Sequence, residues 1–381
     1  MTSQKIIHKQ SRPEAARNPQ AAAMFRSSID RMAPYTPGEQ PRAGERLIKL
    51  NTNENPYPPS PKVRRAVQTS ARDSLRLYPA PRADRFVAAA ARAYRLPSAM
   101  ILAGNGSDEL LAMLFRAALG RGDKVAYPVP TYSLYDTLAE VQEARVARIA
   151  FDAGFALPLG QLARARARLT IVCNPNSPSG SFTPVAKLAA LAHALDGRLL
   201  VIDEAYVDFA ADHALRILRR HPNLVILRTL SKSFSLAGMR LGLCFAHPRV
   251  IEALLKVKDS YNLSRISLAA GAAALDDLAW MRRNVERVKS TRAHAIARLC
   301  RLGFEVAPSE SNFVLARMPG RDLGPIARAL RKSGILVRHF ATPMLRDALR
   351  ISIGTPREMR ALYRALGSLL ASNSPRPRGR R

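Results

Sequence analysis

The chain has 381 residues, 47% of them apolar and 6% aromatic, and carries a formal charge of +31 at pH 7. That length can bury a large core and fits two domains or one large α/β unit. No stretch of about 18 apolar residues free of charge occurs, so no transmembrane helix is expected, and the basic start MTSQKIIHKQSRPEAARNPQ lacks the apolar core of a secretion signal.

In chain order, residues 1–30 read as a flexible basic arm. Proline clusters follow in APYTPGEQPR (33–42) and NPYPPSP (55–61), which predict extended loop crossing a surface. From about Leu75 helix and strand signals alternate. DELLAMLFRAAL (108–119) has apolar residues at helical spacing, and KVAYPVP (124–130) reads as a strand entering a turn. QLARARARL (161–169) and VAKLAALAHAL (185–195) read as helical. LTIVC (169–173), LLVID (199–203), LVILR (224–228) and LGLCFA (241–246) are apolar runs of strand length without strict alternation. Strands buried on both faces of a mostly parallel sheet have that character. The order argues for an open α/β sheet.

After Asn262 the pattern changes. A long helix is predicted over roughly Leu275 to Leu302, then short strands in FEVAP and SNFVLAR, a helix around PIARALRKSG, and strands in ILVRHF and LRISIG. A closing helix, EMRALYRALGSLL (358–370), places Met359, Leu362, Tyr363, Leu366, Leu369 and Leu370 at helical intervals. This half reads as a smaller α+β domain. The tail SNSPRPRGRR (372–381) reads as disordered and basic.

Ligands in open α/β sheets bind beyond the carboxyl ends of the strands, so the residues that follow each apolar run are informative. LTIVC is followed by NPNSPSG (174–180), rich in amides and hydroxyls; LLVI is followed by Asp203; LVILR is followed by TLSKSF, with Lys232. An amine, a carboxylate and a set of hydrogen-bonding side chains at neighbouring strand ends suit an electrophilic carbonyl cofactor with a basic ring nitrogen. The loop AGNGSDELL (103–111) adds an anion site: Gly104 and Gly106 allow close approach of the backbone, and Ser107, with the first amides of a helix beginning near Asp108, would cradle a phosphate at the positive helix end. Ser231 and the guanidinium of Arg240 could complete that cup. The loop lacks the third glycine of GxGxxG, which disfavours a dinucleotide. Cys173, Cys244 and Cys300 are scattered without CxxC spacing, which argues against a disulfide framework or zinc site and fits a reducing, cytoplasmic setting. The arginines spread over helical faces without interleaved aromatics, so no specific nucleic acid is expected as a partner.

Taken together, NTNENPY (51–57), LYP (77–79), GNGSDELL, PTYSLY (130–135), DEAY (203–206), LRTLSKSFSLAGMRLG (227–242), YNLS (261–264), SNFVLAR (311–317), GILVRHF (334–340) and LRISIGT (349–355) resemble fold-type-I pyridoxal-phosphate aminotransferases. Within that group they most resemble the histidinol-phosphate aminotransferase family, from about Ala33 to Leu370. The resemblance implies a large cofactor-binding domain over 73–275 and a small C-terminal domain over 276–371. It also implies that the segment 31–72 contributes to the small domain and a dimer contact. By the same resemblance Lys232 forms the Schiff base with pyridoxal 5′-phosphate and moves the substrate proton. Asp203 partners the ring nitrogen, Tyr206 lies near the ring oxygen O3′, and Tyr132 stacks on the ring. The backbone of Ser107 and Asp108, with Ser231 and Arg240, forms the phosphate cup. Tyr78 reaches the cofactor of a partner subunit, implying a homodimer with shared sites. Arg350 clamps a substrate carboxylate, while Arg338 and Tyr35 contact the substrate phosphate or distal group. The expected reaction takes an amino group from histidinol phosphate to 2-oxoglutarate. Aromatic amino-acid transamination and threonine-phosphate decarboxylation are the alternatives on a similar site. One departure stands out: family members usually read NPNNPTG, whereas this chain reads NPNSPSG, with Ser177 at the position whose asparagine reaches the ring oxygen. A bridging water or Asn176 is expected to substitute.

Overall fold

A computed structural model describes residues 24–33 and 36–372. Among these, a first short strand, β1 (Ile48–Leu50), precedes seven strands that alternate with helices: β2 (Ile101–Gly104), β3 (Lys124–Val129), β4 (Arg145–Ala150), β5 (Leu169–Cys173), β6 (Leu199–Asp203), β7 (Leu224–Thr229) and β8 (Gly242–Ala246). These seven form one sheet in the order β2-β8-β7-β6-β5-β3-β4. From β7 to β4 all neighbours are parallel, and β8 runs antiparallel to both β2 and β7.

The apolar runs explain the layering. Side chains alternate across a strand, and here both sets find a core. Leu200, Ile202, Leu224, Ile226 and Val172 join one apolar cluster, while Val201, Val225, Leu227, Ile171 and Leu169 join another on the opposite face. Helices cover each face, which is why β5, β6 and β7 contain almost no exposed residue. Strand β4 is the exception. It lies at the sheet edge, and its Arg145 and Arg148 point outward, the usual way an exposed edge is kept from pairing with another chain.

The helix read across QLARARARL is shorter than expected. It ends at Arg164, and Arg166 takes a left-handed backbone (φ +48°) in the turn that launches β5. The long helix runs from Leu278 to Arg301. Beyond it, β9 (Glu305–Val306), β10 (Phe313–Arg317), β11 (Ile335–His339) and β12 (Ala348–Ser352) form a second sheet with β1, in the order β1-β11-β12-β10-β9. The predicted loop before Pro61 thus contains a strand, which pairs in parallel with β11. The helix Pro61–Ser70 that follows packs against the helix Arg265–Leu275. The closing helix spans Pro356–Ser372.

Candidate active site

The site lies where the carboxyl ends of β5, β6 and β7 meet the second sheet. Asp203 is the last residue of β6, 3% exposed. One carboxylate oxygen accepts from the Tyr135 hydroxyl at 2.7 Å, the other from the Ala205 N–H at 3.2 Å. Burial dominates over these two bonds and raises the carboxyl pKa to about 6. A carboxylate so poorly solvated gains most from a cationic N–H placed against it.

Lys232 follows β7 at the adjacent strand end. Its ammonium donates to the Thr52 carbonyl at 3.2 Å and sits 5.7 Å from the centre of the Tyr206 ring. Burial first, and then the Arg350 charge, lower its pKa to about 8 against an opposing effect from Glu54 and Asp108. The loop around it is pinned from behind. Asn55 Nδ2 donates to the Lys232 and Ser233 carbonyls at 3.0 and 3.2 Å, and the Ser233 hydroxyl bonds Asp208. Glu204, next to Asp203, is buried and paired with Arg228 at 2.9 Å. Breaking a buried pair of this kind typically costs about 3–5 kcal/mol. Ionic groups beneath the site therefore hold the strand ends in place.

Tyr206 is buried, with its ring edge-on to Phe313 at 5.0 Å and its oxygen accepting from Asn53 Nδ2 at 3.0 Å. Burial raises the phenol pKa to about 12. Tyr132 lies edge-on to Tyr135 at 5.7 Å and donates to Asp108 at 3.3 Å.

An anion cup borders this group. Gly106 caps the helix Ser107–Ala118 at φ +83°, and a Cβ there would sit 2.6 Å from Arg240 Nη2. Gly242 is required as well: a Cβ would lie 2.6 Å from the Gly106 carbonyl carbon, so only glycine lets the antiparallel neighbours β2 and β8 approach. The first amides of the helix have no acceptor within it and face the same space as Arg240. Arg240 Nη2 donates to Asp108 Oδ2 at 3.1 Å, and Ser231 is buried beside it, its amide held by Thr229 Oγ1 at 3.1 Å. Glycine, helix terminus, hydroxyl and guanidinium together fit a phosphate group, and Asp203 and Lys232 fit a protonated ring nitrogen and an aldehyde.

The second sheet supplies two guanidiniums. Arg338 on β11 and Arg350 on β12 are register partners, so they share a face. Arg350 donates to Ser177 Oγ at 3.1 Å and to the Asn51 carbonyl at 2.9 Å. Arg338 donates to the carbonyls of Pro37 and Thr36, each at 3.3 Å. Tyr35 lies outside the described residues.

One sequence expectation changes in detail. Asn176 is buried, and its amide is committed to the loop: it donates to Pro130 O and Ser179 Oγ and accepts from Thr131. It is Ser177 that touches Arg350 and faces the site. Tyr78 is 77% exposed and stacks on Tyr261 at 4.4 Å. Sequence reasoning gave no role to Asn51, Thr52, Asn53 or Asn55, yet each bonds a site residue. The available signal was the density of amides in NTNEN. Tyr135 was also missed; it lies three residues beyond Tyr132 and holds Asp203. Among the described residues no cluster of His, Cys, Asp and Glu has a metal-binding arrangement, and no helix is long and apolar enough to cross a membrane.

Sheet order, a lysine and an aspartate at neighbouring strand ends and a glycine-capped anion cup define an aminotransferase. The chain belongs to the aminotransferase class I and II family, whose profile matches residues 45–366. It is 44% identical over 346 residues to histidinol-phosphate aminotransferase 1 of Trichormus variabilis, covering 91% of this chain and 99% of that one. It is 46% identical over 345 residues to the histidinol-phosphate aminotransferase of Citrifermentans bemidjiense, covering 91% and 98%. Among solved structures, the Sinorhizobium meliloti histidinol-phosphate aminotransferase in complex with pyridoxal-5′-phosphate superposes with a TM-score of 0.81 at 29% identity, covering 87% of this chain and 92% of that one.

Proposed function

We propose that the protein is a pyridoxal-phosphate-dependent histidinol-phosphate aminotransferase, moving the amino group of histidinol phosphate to 2-oxoglutarate to give imidazole-acetol phosphate and glutamate. The observation that carries this reading is the pair of guanidiniums opposed on β11 and β12, with Arg350 close enough to Lys232 to lower its pKa. Like charges placed opposite one another on neighbouring strands are unfavourable unless an anion is to be bound. A phosphate monoester and a dicarboxylate each bring nearly two negative charges, so one double-arginine wall serves both half-reactions.

Pyridoxal phosphate, when bound, supplies an aldehyde for amines and a ring that accepts the electron pair released at the substrate carbon. The chain does the rest. Ser107, Asp108, Ser231 and Arg240 would hold its phosphate. Asp203 would hold a proton on the ring nitrogen, and Tyr206 would hold the ring oxygen, with Ser177 close by. Tyr132 would cover the ring face. Lys232 Nζ, already drawn toward its neutral form, would bond the aldehyde, give it up to the incoming amine, and carry the proton from the substrate carbon. Arg350 would bind the carboxylate of glutamate or 2-oxoglutarate; Arg338, with Tyr35, would bind the phosphate or distal group.

We further propose a cytoplasmic homodimer in which Tyr78 enters the partner subunit's phosphate cup. A row of exposed apolar side chains that includes Leu75, Leu77, Tyr78 and Tyr261 supports the dimer. Three free cysteines fit the cytoplasm.

The test is the visible spectrum of the purified protein with histidinol phosphate and no keto acid. The expected result is loss of the yellow band and gain of the pyridoxamine-form spectrum, restored by 2-oxoglutarate. A yellow protein unchanged by histidinol phosphate would refute the donor, and one that takes up no cofactor would refute the reaction class.

A further inference from the structure

Tyr206 is held from behind by a residue whose own hydrogen bonds have a fixed direction. Asn53 is 1% exposed and sits in the left-handed backbone region at φ +56°, which asparagine tolerates better than most residues. Its backbone N–H donates to Ser352 Oγ at 2.8 Å. The Ser352 hydroxyl, buried and already accepting, donates its own hydrogen to Asn53 Oδ1 at 3.0 Å. That bond identifies the oxygen end of the amide. The other end, Nδ2, then points at the Tyr206 oxygen at 3.0 Å. Turning the amide over would aim its NH₂ at the serine oxygen and leave the buried Ser352 hydrogen without an acceptor, a costly arrangement. An amide NH₂ only donates, so the phenol oxygen only accepts here, and the phenol hydrogen is left directed into the site.

We propose that Asn53 is a positioning residue that fixes Tyr206 as a hydrogen-bond donor toward the bound ring and ties that donor to strand β12. This rests on the reading above that Tyr206 faces the ring oxygen. The tie is short. Ser352 is two residues from Arg350 on β12, and the Asn53 carbonyl accepts from Asn312 Nδ2, at 2.9 Å, just before β10. On the other side, Thr52 and Asn55 contact Lys232. One five-residue segment therefore touches the lysine, the phenol and the arginine strand.

The groups facing Tyr206 are Lys232, Arg350, Asp203, Cys173 and the ring edge of Phe313. Burial favours the neutral phenol, whereas Arg350 and the Asn53 amide favour its ionised form. The balance keeps a proton on the oxygen while strengthening it as a donor. A donor on the ring oxygen stabilises negative charge there, so its loss raises the pH at which the visible band of the bound cofactor titrates.

The experiment titrates that band in Tyr206→Phe, Asn53→Asp and the double variant. Asp keeps the shape and the oxygen that Ser352 needs but replaces the donor by an acceptor, so the phenol turns its hydrogen away from the ring. Asn53→Asp is expected to raise the midpoint by about half to one pH unit, the worth of one hydrogen bond, and to add nothing in the Tyr206→Phe background. A shift that persists in that background would be an effect of the new charge alone and would overturn the proposal, as would no shift in Asn53→Asp when Tyr206→Phe shifts. If Tyr206→Phe itself leaves the band unmoved, the reading of Tyr206 fails and the proposal with it. Should Asn53→Asp not fold, Asn53→Gly, which accepts the same backbone, is expected to shift in the same direction, and an unshifted midpoint there would overturn the proposal equally. A readout without cofactor is the Cζ resonance of Tyr206 in protein labelled with ζ-13C tyrosine, assigned with Tyr206→Phe. It is expected to move toward the phenolate position in Asn53→Asp, and an unmoved resonance would overturn the assigned bond direction.

Discussion

The two sheets that form the site prepare their side chains in opposite ways. The seven-stranded sheet delivers Asp203, Tyr206 and Lys232 into a space where burial is the first cause of every pKa shift. The five-stranded sheet delivers Arg350 and Arg338 onto backbone carbonyls and a serine hydroxyl, half-open to solvent. Desolvation makes the first set reactive at fixed positions. The second set keeps its charge whatever the surroundings, so it can serve as a receptor for successive anions. On the proposed reading, chemistry is built into the larger sheet and recognition into the smaller one.

The largest effect is expected where that division is sharpest. Lys232→Ala removes the amine proposed to bond the cofactor and carry the proton, and should lower turnover by about 10⁴-fold or more. Its ammonium contributes a single bond to Thr52, so the thermal midpoint should stay close to the parent. Steady-state turnover and a melting curve check both halves, and an active variant would break the assignment of chemistry to this sheet.

Next come the receptors. Arg350→Ala should lower kcat/KM for 2-oxoglutarate by about 10²-fold, since it removes the charge-assisted contact proposed for that substrate's carboxylate. Arg338→Ala should damage use of the phosphorylated donor by about tenfold to a hundredfold and 2-oxoglutarate much less. Equal losses on both substrates would show that the wall is not divided in this way.

A third prediction concerns burial itself. Asp203 has its folded pKa raised to about 6 from 3.8 in the absence of a cationic partner. A raised carboxyl favours folding while it is protonated. Its contribution is therefore fully present below about pH 4 and is lost as pH rises through about 6. The loss amounts to about 3 kcal/mol for a shift of this size. Cofactor-free protein should become less stable across that window, and Asp203→Asn should flatten the dependence. Denaturant melts of the two proteins at pH 4 and pH 8 measure it. Bound cofactor should also flatten it, because a ring N–H pairs with the carboxylate.

The same contrast governs what could be read from the sequence. Asp203 and Lys232 could be singled out because each comes at or shortly after the end of an apolar run, and strand ends in a parallel sheet are where ligands bind. Strands β5 to β8 were legible for the same reason. β1 was not: three residues, IKL, pair only because β11 is brought beside them from nearly 300 residues away. β4 was missed because an edge strand carrying Arg145 and Arg148 lacks an apolar run. Asn53 escaped because its role depends on a left-handed backbone and on partners at 206, 312 and 352. The sequence QLARARARL misled in the other direction, since arginine at alternate positions suits a helix or a turn equally and Arg166 takes the turn. The exchange of asparagine for serine at 177 was visible from the start, but only the geometry shows Asn176 held by its own loop while the Ser177 hydroxyl meets Arg350.

The smallest expected effect lies at the rim, where burial does not hold the side chain and its in-chain contact is a ring stack. Tyr78→Phe leaves the stack on Tyr261 possible and removes only a hydroxyl that is solvent-exposed in this chain. The fold should change by less than about 0.5 kcal/mol. If the hydroxyl reaches the phosphate cup of a partner subunit, the same change should weaken cofactor binding by about tenfold, near the lower limit for one hydrogen bond to a charged group. The proposed pairing of subunits makes this testable in a way that no property of one chain is. Mixing Tyr78→Phe with Lys232→Ala subunits produces heterodimers that contain one site with both defects and one site with neither. Such mixtures should recover tight-binding, active sites in proportion to the heterodimer formed. An equal mixture that only averages the two parents would mean that Tyr78 serves its own chain, and the rim would then follow the same rule as the buried floor.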